Sequence, residues 1–274
     1  MSVALQDRGK AVREPGARTL PRWVRARVFL RSLTLQASWN HKGMQGLGVA
    51  YALWPALRWL HPSREARVRA LRRHLTLFNS HPYLAAPILG GVLRLEERIA
   101  AGEEEPEAAQ RFKEALMFPL AAVGDSFFWL SLRPLAGAVA ALAFPWIGLW
   151  SVPLFLALYD VPHLTLRIGM FRDGYRLGEG VVGRLGALDL PRAGAILRRA
   201  LACLGGVAIA MAAWGASAVP AAPWPAGAPA VLAPLGAALL AGAAAFLMLE
   251  KRGPIAGGWL AIAIGIASAL LLGT

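Results

Sequence analysis

The sequence predicts an all-α integral membrane protein: amphipathic surface helices, broken or re-entrant helices in the first half, then about four transmembrane spans. Three observations carry this expectation. The 274 residues are 57% hydrophobic, with a mean hydropathy of +0.48 and only 16% charged residues; a soluble domain carries about 25% charge. Apolar runs able to cross a hydrocarbon core of roughly 30 Å recur in the second half. Of the 29 lysines and arginines only four are lysine, and the arginines line amphipathic stretches and the flanks of apolar runs, where membrane proteins keep cytoplasmic charge. The same distribution excludes nucleic acid as the explanation of the net charge of +13. The single Cys203 lies in an apolar run, so no internal disulfide forms.

Residues 1–20 mix both charges and lack the apolar core of a secretory signal. They read as a disordered cytoplasmic tail. Residues 21–199 form the core. Within it, RWVRARVFLRSLTLQASWN (22–40) sets arginines among Trp23, Val24, Val28 and Phe29, the pattern of a helix lying on a membrane surface. KGMQGLGVAYALWPALRWL (42–60) is apolar but interrupted by three glycines, Pro55 and Arg58, poor material for a clean span. A second basic amphipathic helix follows, N-capped by Ser63, with Val68, Leu71, Leu75 and Phe78 as its apolar face. Seven of the sixteen acidic residues fall between Glu96 and Glu114. They read as a solvated loop, the alternative being a docking surface for a basic soluble partner.

The first membrane region is about 135–159, carrying Pro145 and Pro153, and 160–199 is an arginine-rich cytoplasmic segment. Residues 200–274 form three transmembrane helices, at 200–219, 229–249 and 254–273. Since the basic N-terminal third and 160–199 both belong on the cytoplasmic side, either 135–159 breaks at its prolines and returns or an earlier segment also enters the membrane. The candidates for that entry are 44–60, 82–95 and 115–130. Broken backbone at membrane depth survives only inside protein or beside a water-filled cavity, so a break points to a site.

Three stretches put costly side chains in apolar surroundings: QASWNHKGMQG (36–46), FNSHPYLAAPILG (78–90) and GDSFFWLSLRP (124–134). The candidate binding or pathway residues are Gln36, Trp39, Asn40, Asn79, His81, Asp125, Ser126 and Arg133. Their amides and carboxylate can hold adjacent hydroxyls, and Trp39 with Phe127, Phe128 and Trp129 offers flat faces for a sugar ring. That chemistry suits a neutral polyol. His81 could equally be a satisfied core histidine. Gly124 is expected to break the chain, with Asp125 or Ser126 capping a short new helix that stops before Pro134. There is no P-loop GK[ST], no metal-spaced His/Cys cluster and no GxSxG, so no metal, cofactor or catalytic residue is expected.

Together with RSLTLQASWNHKGMQGLG (31–48), RRHLTLFNSHPYLAAPILG (72–90) and RDGYRLGEG (172–180), these stretches resemble the IID component of the mannose/fructose/sorbose family of the bacterial phosphoenolpyruvate-dependent sugar phosphotransferase system. The resemblance covers roughly residues 28–185. It departs from the family's pattern at Asp160, where an asparagine is common, and in the Ala/Pro/Gly-rich end from residue 205 onward. It implies a non-catalytic, multi-pass subunit of the bacterial inner (cytoplasmic) membrane with its N-terminus cytoplasmic. In that family the subunit pairs with a IIC subunit in the lipid bilayer to form the pathway for a hexose such as mannose, glucose or fructose. IIA and IIB phosphocarrier proteins phosphorylate the arriving sugar. The alternative within the family is a regulatory or vestigial IID-like subunit that does not itself transport sugar.

Overall fold

The computed structural model describes residues 19–217. Most of the expected N-terminal tail and the expected spans 229–249 and 254–273 lie outside the described residues, and 200–219 does so at its end. Among the described residues every extended element is helical: α1 (Arg22–Ser32), α2 (Gly46–Leu60), α3 (Arg64–His74), α4 (Ala85–Ala100), α5 (Ala108–Gly124), a π-helical segment (Asp125–Leu132), α6 (Arg133–Ile147), α7 (Ser151–Leu177), α8 (Val181–Ala187) and α9 (Leu190–Ser217). Helix over Ala108–Ile209 is long and apolar enough to cross a membrane, and only 11% of its most apolar window is buried inside the protein. An apolar surface left that open suits lipid.

The described chain forms two compact units. The first takes the residues up to Asp125 together with Val161–Leu190; the second takes Ser126–Asp160 and the residues from Pro191 onward. In the first unit α2 packs on α1, α3 and α4, and α4 packs on α5. Its core is sealed by Leu53 and Leu57 of α2, Ile88, Leu89, Val92 and Leu93 of α4, and Val24 and Val28 of α1. Each fully buried leucine contributes about 1.5–3 kcal/mol.

Within 42–60, α2 is a continuous helix across its glycines and Pro55, and at 15 residues it is shorter than a membrane span. The glycines serve packing. A Cβ on Gly48 would meet the Leu35 carbonyl oxygen at 2.0 Å, and one on Gly46 would meet that of Thr76 at 2.2 Å. Farther on, Gly90 and Gly174 let α4 and the later part of α7 touch backbone to backbone: their Cβ positions fall 2.3 Å from the carbonyls of Phe171 and Pro87 respectively. Only glycine admits such contacts. Between 133 and 177 the helix is interrupted at Gly148, whose φ of +54° suits glycine. From there α7 runs through Pro162 to Leu177, and with α8 it makes much of the arginine-rich stretch 160–199 helical.

Helix α3 starts at Ser63, whose side chain accepts from the Ala66 amide. Its buried face differs from the hydrophobic pattern. Ala70 and His74 point inward, while Val68 and Leu75 are 40% and 45% exposed. The reason is Glu96. This fully buried carboxylate of α4 receives Arg73 Nε and Nη2 at 2.7 Å each, His74 Nε2 at 2.9 Å and His61 Nε2 at 3.5 Å. Buried Lys113 of α5 donates to the Arg73 carbonyl at 2.8 Å, closing the cluster. The neighbouring Glu97 accepts from the Leu20 amide, Tyr175 Oη and Arg94. Two acids of the expected solvated run are thus core groups, and the solvated part begins at Glu103.

Both His74 and Glu96 precede the apolar helix. Burial would raise the Glu96 pKa, but the hydrogen bonds from Arg73, His61 and His74 win and hold it well below the ordinary value. Burial lowers the pKa of His74, which therefore sits neutral with Nε2–H donated to the carboxylate. Its Nδ1 is buried without a partner among the described residues.

Two predictions follow from linkage. With His74 lowered from 6.5, its contribution is complete above that pH and is lost as the pH falls towards the folded value. Glu96, lowered from 4.5, has the same sign at lower pH. The melting temperature of the purified full chain should therefore drop between roughly pH 7 and pH 5, and His74→Gln, which keeps the donor, should flatten that drop. Glu96→Ala, which strands the cations of Arg73 and Lys113, should cost about 3–5 kcal/mol, read as a large loss of melting temperature at neutral pH.

Candidate functional site

The break in the middle of NSHPYL is built by hydrogen bonds between two loops. Phe78 pairs with the 43–45 backbone, its N–H donating to Gly43 O and its carbonyl accepting from Gln45 N. The Gln45 side chain then behaves like one more peptide unit: Nε2 donates to Ser80 O at 2.7 Å, and Oε1 accepts from Ser80 N at 3.2 Å. Gln45 and Ser80 are both buried. Without this amide, a buried N–H and C=O would be left unpaired. The loop around 36–46 and the stretch 78–81 thereby become one structure, and α4 starts at Ala85.

Past this lock lies a layer of rings and one guanidinium. His81, 1% exposed, stands edge-on to Tyr83 (centroids 4.9 Å apart), and Tyr83 lies flat on His163 (4.1 Å, 12°). One turn along α7, Arg167 places its guanidinium carbon 5.7 Å from the Tyr83 ring centre and donates from Nη2 to the Ser32 carbonyl at 2.6 Å. Its Nε is buried without a hydrogen-bond partner among the described residues. At the end of α5, a Cβ on Gly124 would come within 2.3 Å of His81 Cβ and Cγ. Glycine there lets the His81 turn sit against the helix just before Asp125.

The sequence-derived residues distribute unevenly over this arrangement. Asn79 is half-buried beside the lock, and its amide makes no hydrogen bond among the described residues. His81 is in the ring layer, and Asp125, half-buried, adjoins its packing partner Gly124. Asn40 is occupied by its own turn: Oδ1 accepts from the Lys42 and Gly43 amides at 3.1 and 2.8 Å, and Nδ2 donates to Ser38 O. Gln36 and Trp39 are exposed on the same loop, Trp39 edge-on to His41.

Ser126 and Arg133 belong to the second unit, where the expected break and cap at GDSFFW do not occur. Helix continues from α5 through eight residues in π geometry into α6. The wider π turn relieves the clash that Pro134 would impose on a regular helix. Ser131 Oγ donates to the Ser126 carbonyl at 2.6 Å, and Arg198 of α9 donates to Ser131 Oγ at 2.8 Å and Ser126 Oγ at 3.2 Å. Ser126 is thus bound by Arg198 rather than capping a helix, while Arg133 is exposed.

Sequence reasoning missed Gln45, Tyr83, His163 and Arg167. The signal for the last two was a histidine and an arginine four residues apart in PHLTLR, on one face of a helix. GEGVVG (178–183) also fits the spacing of a dinucleotide loop, but it follows a helix, not the strand such a loop requires.

Residues 20–214 match a family described as the PTS system mannose/fructose/sorbose family IID component. The chain belongs to this family. Among similar curated proteins, the PTS system mannose-specific EIID component of Escherichia coli K12 is 43% identical over 161 residues, 58% of this chain and 57% of that protein. The sorbose-specific EIID component of Klebsiella pneumoniae is 34% identical over 160 residues, 58% of each chain. This IID-family chain therefore spans about 57% of the first relative's length in the matched region. A solved structure described as the mannose transporter ManYZ in complex with microcin E492 aligns with a TM-score of 0.57 at 32% identity, covering 92% of this chain and 97% of that one.

The lock makes a direct prediction. Gln45→Ala should cost about 1–3 kcal/mol, from two stranded backbone groups. Hydrogen exchange should show the Ser80 amide losing protection while the α4 amides keep theirs.

Proposed function

We propose that this chain is the IID membrane subunit of a phosphotransferase-system hexose transporter, forming the sugar pathway with a IIC partner. The observation that carries this reading is the family match over residues 20–214, which takes in nearly all of the described helices. The subunit sits in the bacterial inner membrane as a multi-pass protein with a cytoplasmic N-terminus. IIA and IIB proteins bring the phosphoryl group, and the IID chain itself is non-catalytic. Its part is to hold hydroxyls and keep the path open while mannose, glucose or fructose reaches IIB.

Geometry supports a role for the turn before α4. Its backbone is broken yet pinned from both sides, by Gln45 and by Gly124 against His81. A fixed break lets a polar side chain face a passage with little reorganisation when a hydroxyl arrives. Asn79 offers a donor and an acceptor there, and Asp125 an acceptor. Tyr83 and His163 supply ring faces, and Arg167 holds that layer to the end of α1.

Asn79→Ala and Asp125→Ala should each abolish uptake of labelled hexose by cells that also carry the IIC, IIA and IIB proteins, while co-purification with IIC stays intact. Loss of co-purification would assign these residues to the framework. Normal uptake by both variants would remove them from the pathway.

A further inference from the structure

The turn between α2 and α3 creates a second polar feature with no part in the arrangement above. Trp54 and Arg58 of α2 and Arg64, Arg67, Val68 and Leu71 of α3 line an open cleft of about 410 Å³. The two helices carry six arginines between them and one acid, Glu65, which is not in the lining. Arg67 is partly committed to the turn, donating to the His61 and Pro62 carbonyls at 3.3 and 2.7 Å. Arg58 and Arg64 have no hydrogen bond or ion pair among the described residues. Guanidinium groups gathered without a counter-charge repel one another and favour an anion among them. Their planar forks match the oxygens of a phosphate.

The rest of the cleft narrows the class of anion. Trp54, Val68 and Leu71 make one wall apolar, and the outward face of α3 continues it through exposed Val68 and Leu75. A tryptophan–arginine border is the composition of a membrane–water interface. A ligand that fills the cleft therefore carries a phosphate at one end and hydrocarbon at the other. A zwitterionic headgroup would bring its ammonium against the guanidinium groups, so a net-negative lipid fits best. We propose that this cleft is a binding site for the phosphodiester headgroup of an anionic glycerophospholipid, with Arg58 and Arg64 on the phosphate and Trp54 and Leu71 along the start of the acyl region.

Native mass spectrometry of the purified full chain in detergent tests this. Phosphatidylglycerol is titrated against phosphatidylcholine, with inorganic phosphate as a soluble competitor. The chain should retain phosphatidylglycerol in preference, and Arg58→Gln/Arg64→Gln should weaken that retention about tenfold or more. Arg69→Gln/Arg72→Gln, the same charge change on exposed positions outside the cleft, should stay within about twofold of the parent. If the glutamine pair fails to fold, Arg58→Lys/Arg64→Lys keeps the charge, loses the forks and should still weaken retention. Equal loss in both glutamine pairs would overturn the proposal in favour of diffuse attraction. So would the absence of lipid preference, displacement of the lipid by inorganic phosphate, or an acidic protein co-purifying through these arginines in place of lipid.

Discussion

The first unit depends on one buried carboxylate. Glu96 projects from α4 into a space that water does not reach, and an uncompensated charge there would be prohibitive. Compensation comes from three places: His61 after α2, and Arg73 and His74 at the end of α3. Lys113 of α5 then ties itself to the Arg73 carbonyl. Four helices are thus fixed by the need to satisfy one ion. Such a cluster specifies an arrangement more than it adds net stability, because desolvation offsets most of the Coulombic gain.

Two consequences reach beyond the cluster. Setting the end of α3 against Glu96 also sets where the chain leaves that helix, and the next residues are those locked by Gln45 and packed on Gly124. The placement of Asn79, His81 and Tyr83 is therefore downstream of the Glu96 cluster. Turning His74 inward also turns Val68 and Leu75 outward, with Arg64 and Arg67 beside them. A helix whose hydrophobic face looks away from its own core needs an apolar environment outside, and a membrane surface provides one.

What could be read in advance follows from the range of the interactions. Ser63 as an N-cap, the basic amphipathic helices and the break near Asn79 and Pro82 are local, so they show in consecutive residues. The inward turn of α3 was hidden because hydrophobic periodicity assigns Val68 and Leu75 to the core and cannot weigh a partner over twenty positions away. Gly46 and Gly48 looked like breakers because the carbonyls they admit belong to other segments. The helix through GDSFFW was hidden for the same reason: Arg198, which donates to Ser126 and Ser131, is more than sixty positions on. Among candidate site residues, those chosen for their polarity divided by what their own turn needed. Asn40 is used up locally, whereas Asn79 is not.

The proposed function asks a fixed, broken turn carrying an amide, rings and a tethered arginine to pass hydroxyls along, with phosphoryl transfer left to partner proteins. The most direct test supplies IIC, IIA and IIB proteins, with or without this chain, to cells lacking their own mannose-type system, and measures sugar phosphate formed from labelled external hexose. Sugar phosphate that accumulates only when the chain is present is the predicted result. Accumulation that does not need the chain, or an assembled complex with phosphorylated IIB and no sugar entry, would contradict the account.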